Sequence, residues 1–242
     1  ALLYYGLPLE LKHLPVIESS LNPKAISRQG AAGLWQLMPA TGRQYNLQIN
    51  AFVDERLDPI KSSYAAAQFL ADLYKRFGDW SLVLAAYNCG PTRVSNAIEK
   101  AGANADFWQI YNFLPKETRG YVPAFIAANY VMNCYAEYNI SPVSTGLPEK
   151  AGKVVVTADV SLAKIADVLN MDIADLQALN PQYKQGIVRT SEGVATLLLP
   201  SDKVKCFTDN VSQLYENNKA PEEQKMEMAA RIVKGTIRNQ HS

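Results

Sequence analysis

Cysteine and histidine are scarce in this sequence. The chain has three cysteines, Cys89, Cys134 and Cys206, at wide spacing, and its two histidines lie near opposite ends. No zinc-binding spacing fits these residues, so we expect neither a metal site nor a cofactor. We predict free, partly buried thiols. One disulfide with a leftover thiol is the alternative.

The sequence also lacks an excess of charge and a long apolar run. Lys and Arg total 24 against 23 Asp and Glu, so the net charge of +1 provides no basic field for nucleic acid. No apolar run reaches the roughly 18–20 residues of a membrane span. The chain begins at Ala1 without an initiator Met or a signal segment. We interpret it as a trimmed form from which any signal or lipid anchor has been removed.

The composition that remains is ordinary for a globular protein, and 242 residues suit one medium domain and a smaller one. We predict a helical first domain over residues 1–139. Its clearest helix shows an apolar stripe at helical period, followed by Gly78 as a stop signal and by Asp79 as the cap of the next helix. The predicted helices cover residues 62–78, 80–87, 92–101 and 121–138.

The helical pattern of the first domain ends after Tyr138, and the composition changes. Residues 140–152 are rich in Pro, Gly and Ser and are predicted to be a linker. Residues 153–203 predict a small strand–helix–helix–strand domain, with strands at 153–157 and 195–199 and helices capped by Ser161 and Asp172. Residues 204–242 are predicted to be a C-terminal helical segment with a break at Pro221. Its apolar face comprises Met226, Ala229, Ala230, Val233 and Ile237.

Glu18 is the first candidate for chemistry. It directly follows Val16 and Ile17, so its carboxylate is expected at the edge of a core, where poor solvation raises the pKa. A glycosidase general acid needs such a rise, from about 4.3 to roughly 6–7. Taken alone the signal is weak, because a glutamate on a helix is usually a solvated surface group.

Three further clusters have both a functional and a structural interpretation. The glycines and Gln36 in the segment 30–39 can bind sugar hydroxyls and amides, or the segment can be a buried turn. Asn88 can point its amide into a groove, or it can simply end a helix. Tyr121 can bond a carboxylate or a substrate, or it can be a core residue with a satisfied hydroxyl.

The order and spacing of these motifs resemble the soluble-lytic-transglycosylase catalytic domain, and in particular the membrane-bound lytic murein transglycosylase D group. The resemblance runs from Leu7 to about Tyr130. It rests on five motifs in register: Glu18-Ser19, Gly33-Leu34-Trp35-Gln36-Leu37-Met38-Pro39, Asp54-Glu55-Arg56-Leu57-Asp58-Pro59, Ala86-Tyr87-Asn88 and Glu117-Thr118-Arg119-Gly120-Tyr121.

This resemblance implies a mainly α fold, with a lysozyme-like helical domain and a long glycan groove. Glu18 takes the place of the single catalytic acid/base, and the hydroxyl of Tyr121 is expected close to its carboxylate. Cys89 stands where many relatives carry alanine. The resemblance places substrate-binding residues along the groove at Ser27, Gln36, Met38, Tyr87, Asn88 and Tyr121.

The activity implied is cleavage of the bond between N-acetylmuramic acid and N-acetylglucosamine without water, leaving a 1,6-anhydro end. The expected partner is the peptidoglycan glycan strand, the expected location is the periplasm or the outer membrane, and the chain is expected to be a monomer. A hydrolytic muramidase is an alternative if Asp54, Glu55 or Asp58 faces Glu18, although we interpret residues 53–59 as a structural loop. A catalytically silent scaffold is the other alternative.

The small domain resembles a LysM module, which binds glycans that contain N-acetylglucosamine. Two features depart from that pattern: Asp159-Val160-Ser161 stands where relatives often have Gly-Asp-Thr/Ser, and the insertion at 184–193 is longer than usual. Glycan binding and a purely structural role therefore both stay open. The likeness lies in Leu162-Ala163-Lys164-Ile165-Ala166, Leu176-Gln177-Ala178-Leu179-Asn180-Pro181 and Leu197-Leu198-Leu199-Pro200.

Overall fold

The computed structural model describes residues 1–146, 148, 150–190 and 193–215. The chain divides into two compact units, Ala1–Ser144 and Thr145–Ser242. The first unit is helical, and the second combines short strands with helices. The predicted fold class, mainly α with a small α+β unit after it, is confirmed.

The first unit is built from seven α-helices and three 3-10 helices in its described residues. The 3-10 helices are Leu9–His13, Tyr111–Phe113 and Tyr135–Tyr138. The α-helices are α1 (Leu14–Ser19), α2 (Pro39–Gln44), α3 (Pro59–Phe77), α4 (Trp80–Cys89), α5 (Pro91–Ala101), α6 (Phe107–Ile110) and α7 (Lys116–Cys134).

Local capping signals set the ends of α3. The helix begins at Pro59 instead of residue 62, because Asp58 caps it by accepting from the backbone N–H groups of Ile60 and Lys61. It ends at Gly78, whose φ of 67° lies in the left-handed region that favours glycine. Asp79 caps α4 as predicted, accepting from the N–H of Leu82. Helix α4 runs on to Cys89, two residues past the predicted end at Tyr87.

Helix α7 begins at Lys116, five residues before the predicted start at Tyr121. It continues through Pro123, whose missing N–H removes one interior hydrogen bond. Its buried residues include Thr118, Tyr121, Val122 and Phe125. Burial of this face against the core explains why the helix tolerates an internal proline.

The core of the first unit centres on α4. Residues 82–86 of this helix are all buried, and it packs against α3, α5 and α7. Leu70 of α3 and Val122 of α7 are fully buried beside it. The motif 86–88 therefore lies at the carboxyl end of a helix that is packed on several sides.

The second unit confirms the predicted strand–helix–helix–strand order. Strand β1 (Ala151–Val156) pairs antiparallel with β4 (Ala195–Pro200), and Val154 lies opposite Leu197. Between them lie α8 (Leu162–Leu169), capped by Ser161, and α9 (Ile173–Leu179), capped by Asp172. A second pair, β2 (Val160–Ser161) with β3 (Ile187–Val188), was not predicted, because two residues carry no detectable alternation.

Two short helices, α10 (Lys203–Asp209) and α11 (Val211–Tyr215), follow the last strand. The predicted break at Pro221 and the apolar face from Met226 to Ile237 lie outside the described residues. The three cysteines are free thiols, as predicted. Within the described ranges, no helix has the length and apolar character needed to cross a membrane.

Candidate active site

Glu18 lies in the last turn of the short helix α1. The helix is closed by two residues in the left-handed region, Ser20 at φ 51° and Leu21 at φ 62°. The hydroxyl of the buried Ser19 donates to the carbonyl of Leu34 over 2.9 Å. The turn that carries Glu18 is therefore tied directly to the segment around Leu34.

The hydroxyl of Tyr121 donates a hydrogen bond to Oε1 of Glu18. Burial raises the pKa of Glu18 from 4.5 to about 7; the Tyr121 hydrogen bond opposes this rise and the negative charge of Glu117 adds to it. Among the described side chains, only Tyr121 bonds this carboxyl, so Oε2 has no protein donor. A carboxyl with a pKa near neutrality can both give and accept a proton at physiological pH.

Tyr87 also lies close to Glu18, but its hydroxyl proton is not donated to that carboxylate. Its hydroxyl donates to the carbonyl of Trp35 over 2.7 Å. Burial and then the negative charge of Glu18 hold the pKa of Tyr87 well above its usual value, and the same two causes act on Tyr121. Both tyrosines thus lie beside the carboxylate of Glu18, and the hydroxyl of Tyr87 bonds the neighbouring loop that contains Trp35.

That loop holds three of the predicted substrate-binding residues. Ser27 accepts from the N–H of Ala31 over 3.0 Å through its hydroxyl oxygen. Gln36 has a positive φ of 45°, and its Nε2 donates to the carbonyl of Gly33 over 2.9 Å. Met38 is 43% exposed. No hydrogen bond in the described part of the chain joins Ser27 or Met38 to Glu18.

The loop rests on the buried side chain of Arg56. The guanidinium donates to the carbonyls of Gly30 and Leu37 over 2.6 and 2.9 Å, and it forms a two-point ion pair with Asp54. Gly33 presses against the same segment: a Cβ at this position would lie 1.8 Å from the carbonyl oxygen of Arg56. Only glycine fits there, since its φ is also positive at 82°.

The three acidic residues of the segment 53–59 all have structural partners. Asp54 pairs with Arg56, and Glu55 pairs with Lys61. Glu55 also accepts from the N–H of Gln48 over 2.7 Å, while Asp58 caps α3. This placement agrees with the interpretation of the segment as a structural loop.

Asn88 is positioned by a residue that the sequence did not single out. The hydroxyl of Thr118 on α7 donates to Oδ1 of Asn88 on α4 over 2.8 Å. Arg56 was missed in the same way. Both residues belong to quoted motifs, but their burial and their partners could not be read from the motif.

Two family models match the chain. Residues 3–110 match the transglycosylase SLT domain. Residues 150–216 match the LysM-like domain of the lytic transglycosylase MltD. The first match contains Glu18, the loop 25–38 and Asn88, and the second contains the described strands of the small unit.

Named relatives agree with these matches. The membrane-bound lytic murein transglycosylase D of Escherichia coli K12 is 36% identical over 199 residues, which are 81% of this chain and 43% of the relative. The soluble lytic murein transglycosylase of the same strain is 33% identical over 116 residues, or 46% of this chain and 18% of the relative.

Among solved structures, the 70 kDa soluble lytic transglycosylase of Escherichia coli aligns with a TM-score of 0.45 and 28% identity. The alignment covers 52% of this chain and 22% of that one. The chain thus spans less than half the length of the curated relatives above.

Proposed function

The chain carries a transglycosylase SLT domain followed by a LysM-like domain of the MltD type, and we propose that it cleaves the glycan strands of bacterial peptidoglycan without water. The bond cleaved joins N-acetylmuramic acid to N-acetylglucosamine. The product carries a 1,6-anhydro ring on the muramic acid. The observation that supports this best is Glu18, whose pKa lies near 7 and whose carboxyl has one hydrogen-bond partner, Tyr121, in the part of the chain that the structure describes.

In the first step, protonated Glu18 donates its proton to the glycosidic oxygen. The bond from that oxygen to C1 of the muramic acid breaks, and the N-acetylglucosamine chain leaves with a hydroxyl. The acetamido oxygen of the muramic acid bonds to C1 and carries the positive charge. A carboxyl with a pKa near 7 is protonated often enough at neutral pH to act as this acid.

In the second step, the carboxylate of Glu18 removes the proton of the C6 hydroxyl, whose oxygen attacks C1. The bond from C1 to the acetamido oxygen breaks, and Glu18 is protonated again. The nucleophile belongs to the same sugar, which gives the step a large entropic advantage over attack by water. No metal or cofactor enters this proposal.

The hydrogen bonds and ion pairs of the other acidic residues support a mechanism with one catalytic carboxylate. Most glycosidases need a second carboxylate as base or nucleophile. Asp54, Glu55 and Asp58 are each held by structural partners. Glu117 affects the charge state of Glu18, but it is exposed and contributes least of the three causes.

We propose that residues 1–139 act as the lysozyme-like catalytic domain, with Ser27, Gln36, Met38, Tyr87, Asn88 and Tyr121 lining its groove. The segments 140–152, 153–203 and 204–242 then act as linker, LysM-like domain and C-terminal segment. The enzyme works as a monomer on peptidoglycan strands, in the periplasm or at the outer membrane of a bacterium.

Mass spectrometry of digested peptidoglycan tests the reaction. We expect muropeptides that end in the anhydro sugar and lack a reducing end. Products heavier by one water, with reducing ends, would instead identify a hydrolytic muramidase.

The matched variant is Glu18→Gln, which keeps the shape of the side chain but cannot titrate. We expect product formation to fall by about 10²–10⁴-fold, the usual contribution of an acid/base catalyst. Binding to insoluble peptidoglycan should persist. If the wild-type chain binds peptidoglycan and releases nothing, the scaffold alternative is correct.

A further inference from the structure

Thr118 is buried and polar, and it lies where two helices of the first unit meet. Its side chain is in the first turn of α7, and the residue is 1% exposed. Its hydroxyl donates to Oδ1 of Asn88, in the last turn of α4, over 2.8 Å. The bond therefore joins the carboxyl end of α4 to the helix that carries Tyr121.

This bond decides which end of the Asn88 amide is available. An asparagine amide has one acceptor oxygen and a nitrogen with two donor hydrogens. The oxygen is occupied by Thr118, while Nδ2 has no acceptor among the residues that the structure describes. Asn88 is only partly buried. Its Nδ2 is not one of the fully enclosed side-chain atoms that lack a hydrogen-bond partner among the described residues, so this nitrogen is not sealed inside the core. The donor end of the amide is thus accessible from outside the core.

The neighbouring Cys89 leaves this arrangement intact. The Cys89 thiol donates to the carbonyl of Gly90. Burial raises the pKa of this thiol, and the nearby Thr118 hydroxyl opposes the rise. A protonated thiol is a weak acceptor, so it competes poorly with Oδ1 for the single hydroxyl proton of Thr118.

We propose that Thr118 is a positioning residue that orients Asn88 so that Nδ2 donates to an acetamido carbonyl oxygen of the bound glycan. The proposal rests on the proposed function, because it takes an N-acetylated sugar chain as the ligand. Thr118 itself does not touch the ligand. Its effect passes entirely through the Asn88 amide.

Binding without turnover tests this. In the Glu18→Gln background, a soluble oligosaccharide of alternating N-acetylglucosamine and N-acetylmuramic acid is titrated calorimetrically. Thr118→Val keeps the shape of the side chain and removes the hydroxyl, and we expect its Kd to rise about tenfold, as for one lost hydrogen bond. Thr118→Ser, which keeps the hydroxyl, should bind within about twofold of the parent, a change of less than 0.5 kcal/mol.

A double-mutant cycle separates positioning from a general structural role. Asn88→Ala removes the amide, and in that background Thr118→Val should no longer change Kd. Asn88→Asp keeps an acceptor for Thr118 but has no donor hydrogens, so it should bind as weakly as Asn88→Ala. Ser62→Ala is the matched control, since it removes another buried hydroxyl bond, to the carbonyl of Asp58, and should leave Kd unchanged.

Several outcomes overturn the proposal. The first is an unchanged Kd in Thr118→Val, and the second is an equal rise in Kd when Thr118→Val is made in the Asn88→Ala background. The others are parental affinity in Asn88→Asp and a parent that does not bind the oligosaccharide. Failure of the proposed function is seen separately: the Glu18→Gln enzyme would then form products as fast as wild type, while the binding cycle still reports on Thr118. Should Thr118→Val not fold, Asn88→Asp and Thr118→Ser still test the donor and the hydroxyl.

Discussion

Tyr121 donates its phenolic hydrogen to Oε1 of Glu18 across 103 positions of the chain. This bond stabilises the ionised carboxylate, whereas burial and the charge of Glu117 destabilise it. Burial has the largest effect, so the pKa of Glu18 settles near 7. The hydrogen bond and the charge can each be removed by one substitution, and each removal shifts the pKa of Glu18 in a defined direction.

Tyr121→Phe removes the hydrogen bond and leaves the ring. Because the bond favours the charged form, its loss should raise the pKa of Glu18 above its present value of about 7. Glu18 must be protonated to begin the reaction, so the fall in rate on the alkaline side of the pH profile should move to higher pH. Initial rates on soluble glycan strands between pH 5 and about 9 measure this shift. A shift to lower pH would contradict the assigned role of the hydroxyl.

Glu117→Gln should have the opposite effect. Removing a neighbouring negative charge lowers the pKa of Glu18, so the alkaline fall should move to lower pH. At pH 5 the rate should stay within about twofold of wild type, since Glu117 takes no proton in the proposed mechanism. If Glu117 were a second catalytic carboxylate, the rate would drop at every pH and the products would carry a reducing end.

The raised pKa of Glu18 also makes stability depend on pH. The folded state holds this proton more tightly than the unfolded state, so the contribution is present below the unfolded pKa of 4.5 and is lost as pH rises through about 7. Relative to Glu18→Gln, wild type should lose about 3 kcal/mol of unfolding free energy over that range. Urea denaturation of both proteins at several pH values measures the difference. A constant difference would show that Glu18 titrates alike in both states.

Substitutions at Gly33 and Gly30 test whether contact with Arg56 stabilises the loop. Both have positive φ, but an added Cβ meets the carbonyl of Arg56 at Gly33 and nothing within 4 Å at Gly30. Gly30→Ala should lose about 1 kcal/mol from backbone strain, and Gly33→Ala about 3 kcal/mol or more from strain and overpacking together. Thermal unfolding ranks the two. Equal losses would mean that contact with Arg56 does not hold the loop.

Much of this protein could be predicted from local sequence. Asp79, Ser161 and Asp172 cap the helices they were expected to cap, because a capping bond involves only residues two or three positions apart. The raised pKa of Glu18 was expected from its two apolar neighbours, and its direction is confirmed. The start of α3 shows the limit: the apolar stripe predicted a start at residue 62, but the cap at Asp58 begins the helix at Pro59.

The tertiary structure alone decided how the site is assembled. The bonds from Arg56 to Gly30, from Thr118 to Asn88 and from Tyr87 to Trp35 join residues 26, 30 and 52 positions apart. Sequence patterns report local periodicity, and they do not specify which distant polar groups share a buried contact. The sequence by itself determined the helices, the small α+β unit and the identity of the acid/base candidate. Packing decided which hydroxyl faces that carboxyl and which amide hydrogens stay available, because both depend on contacts that exist only after the helices have come together.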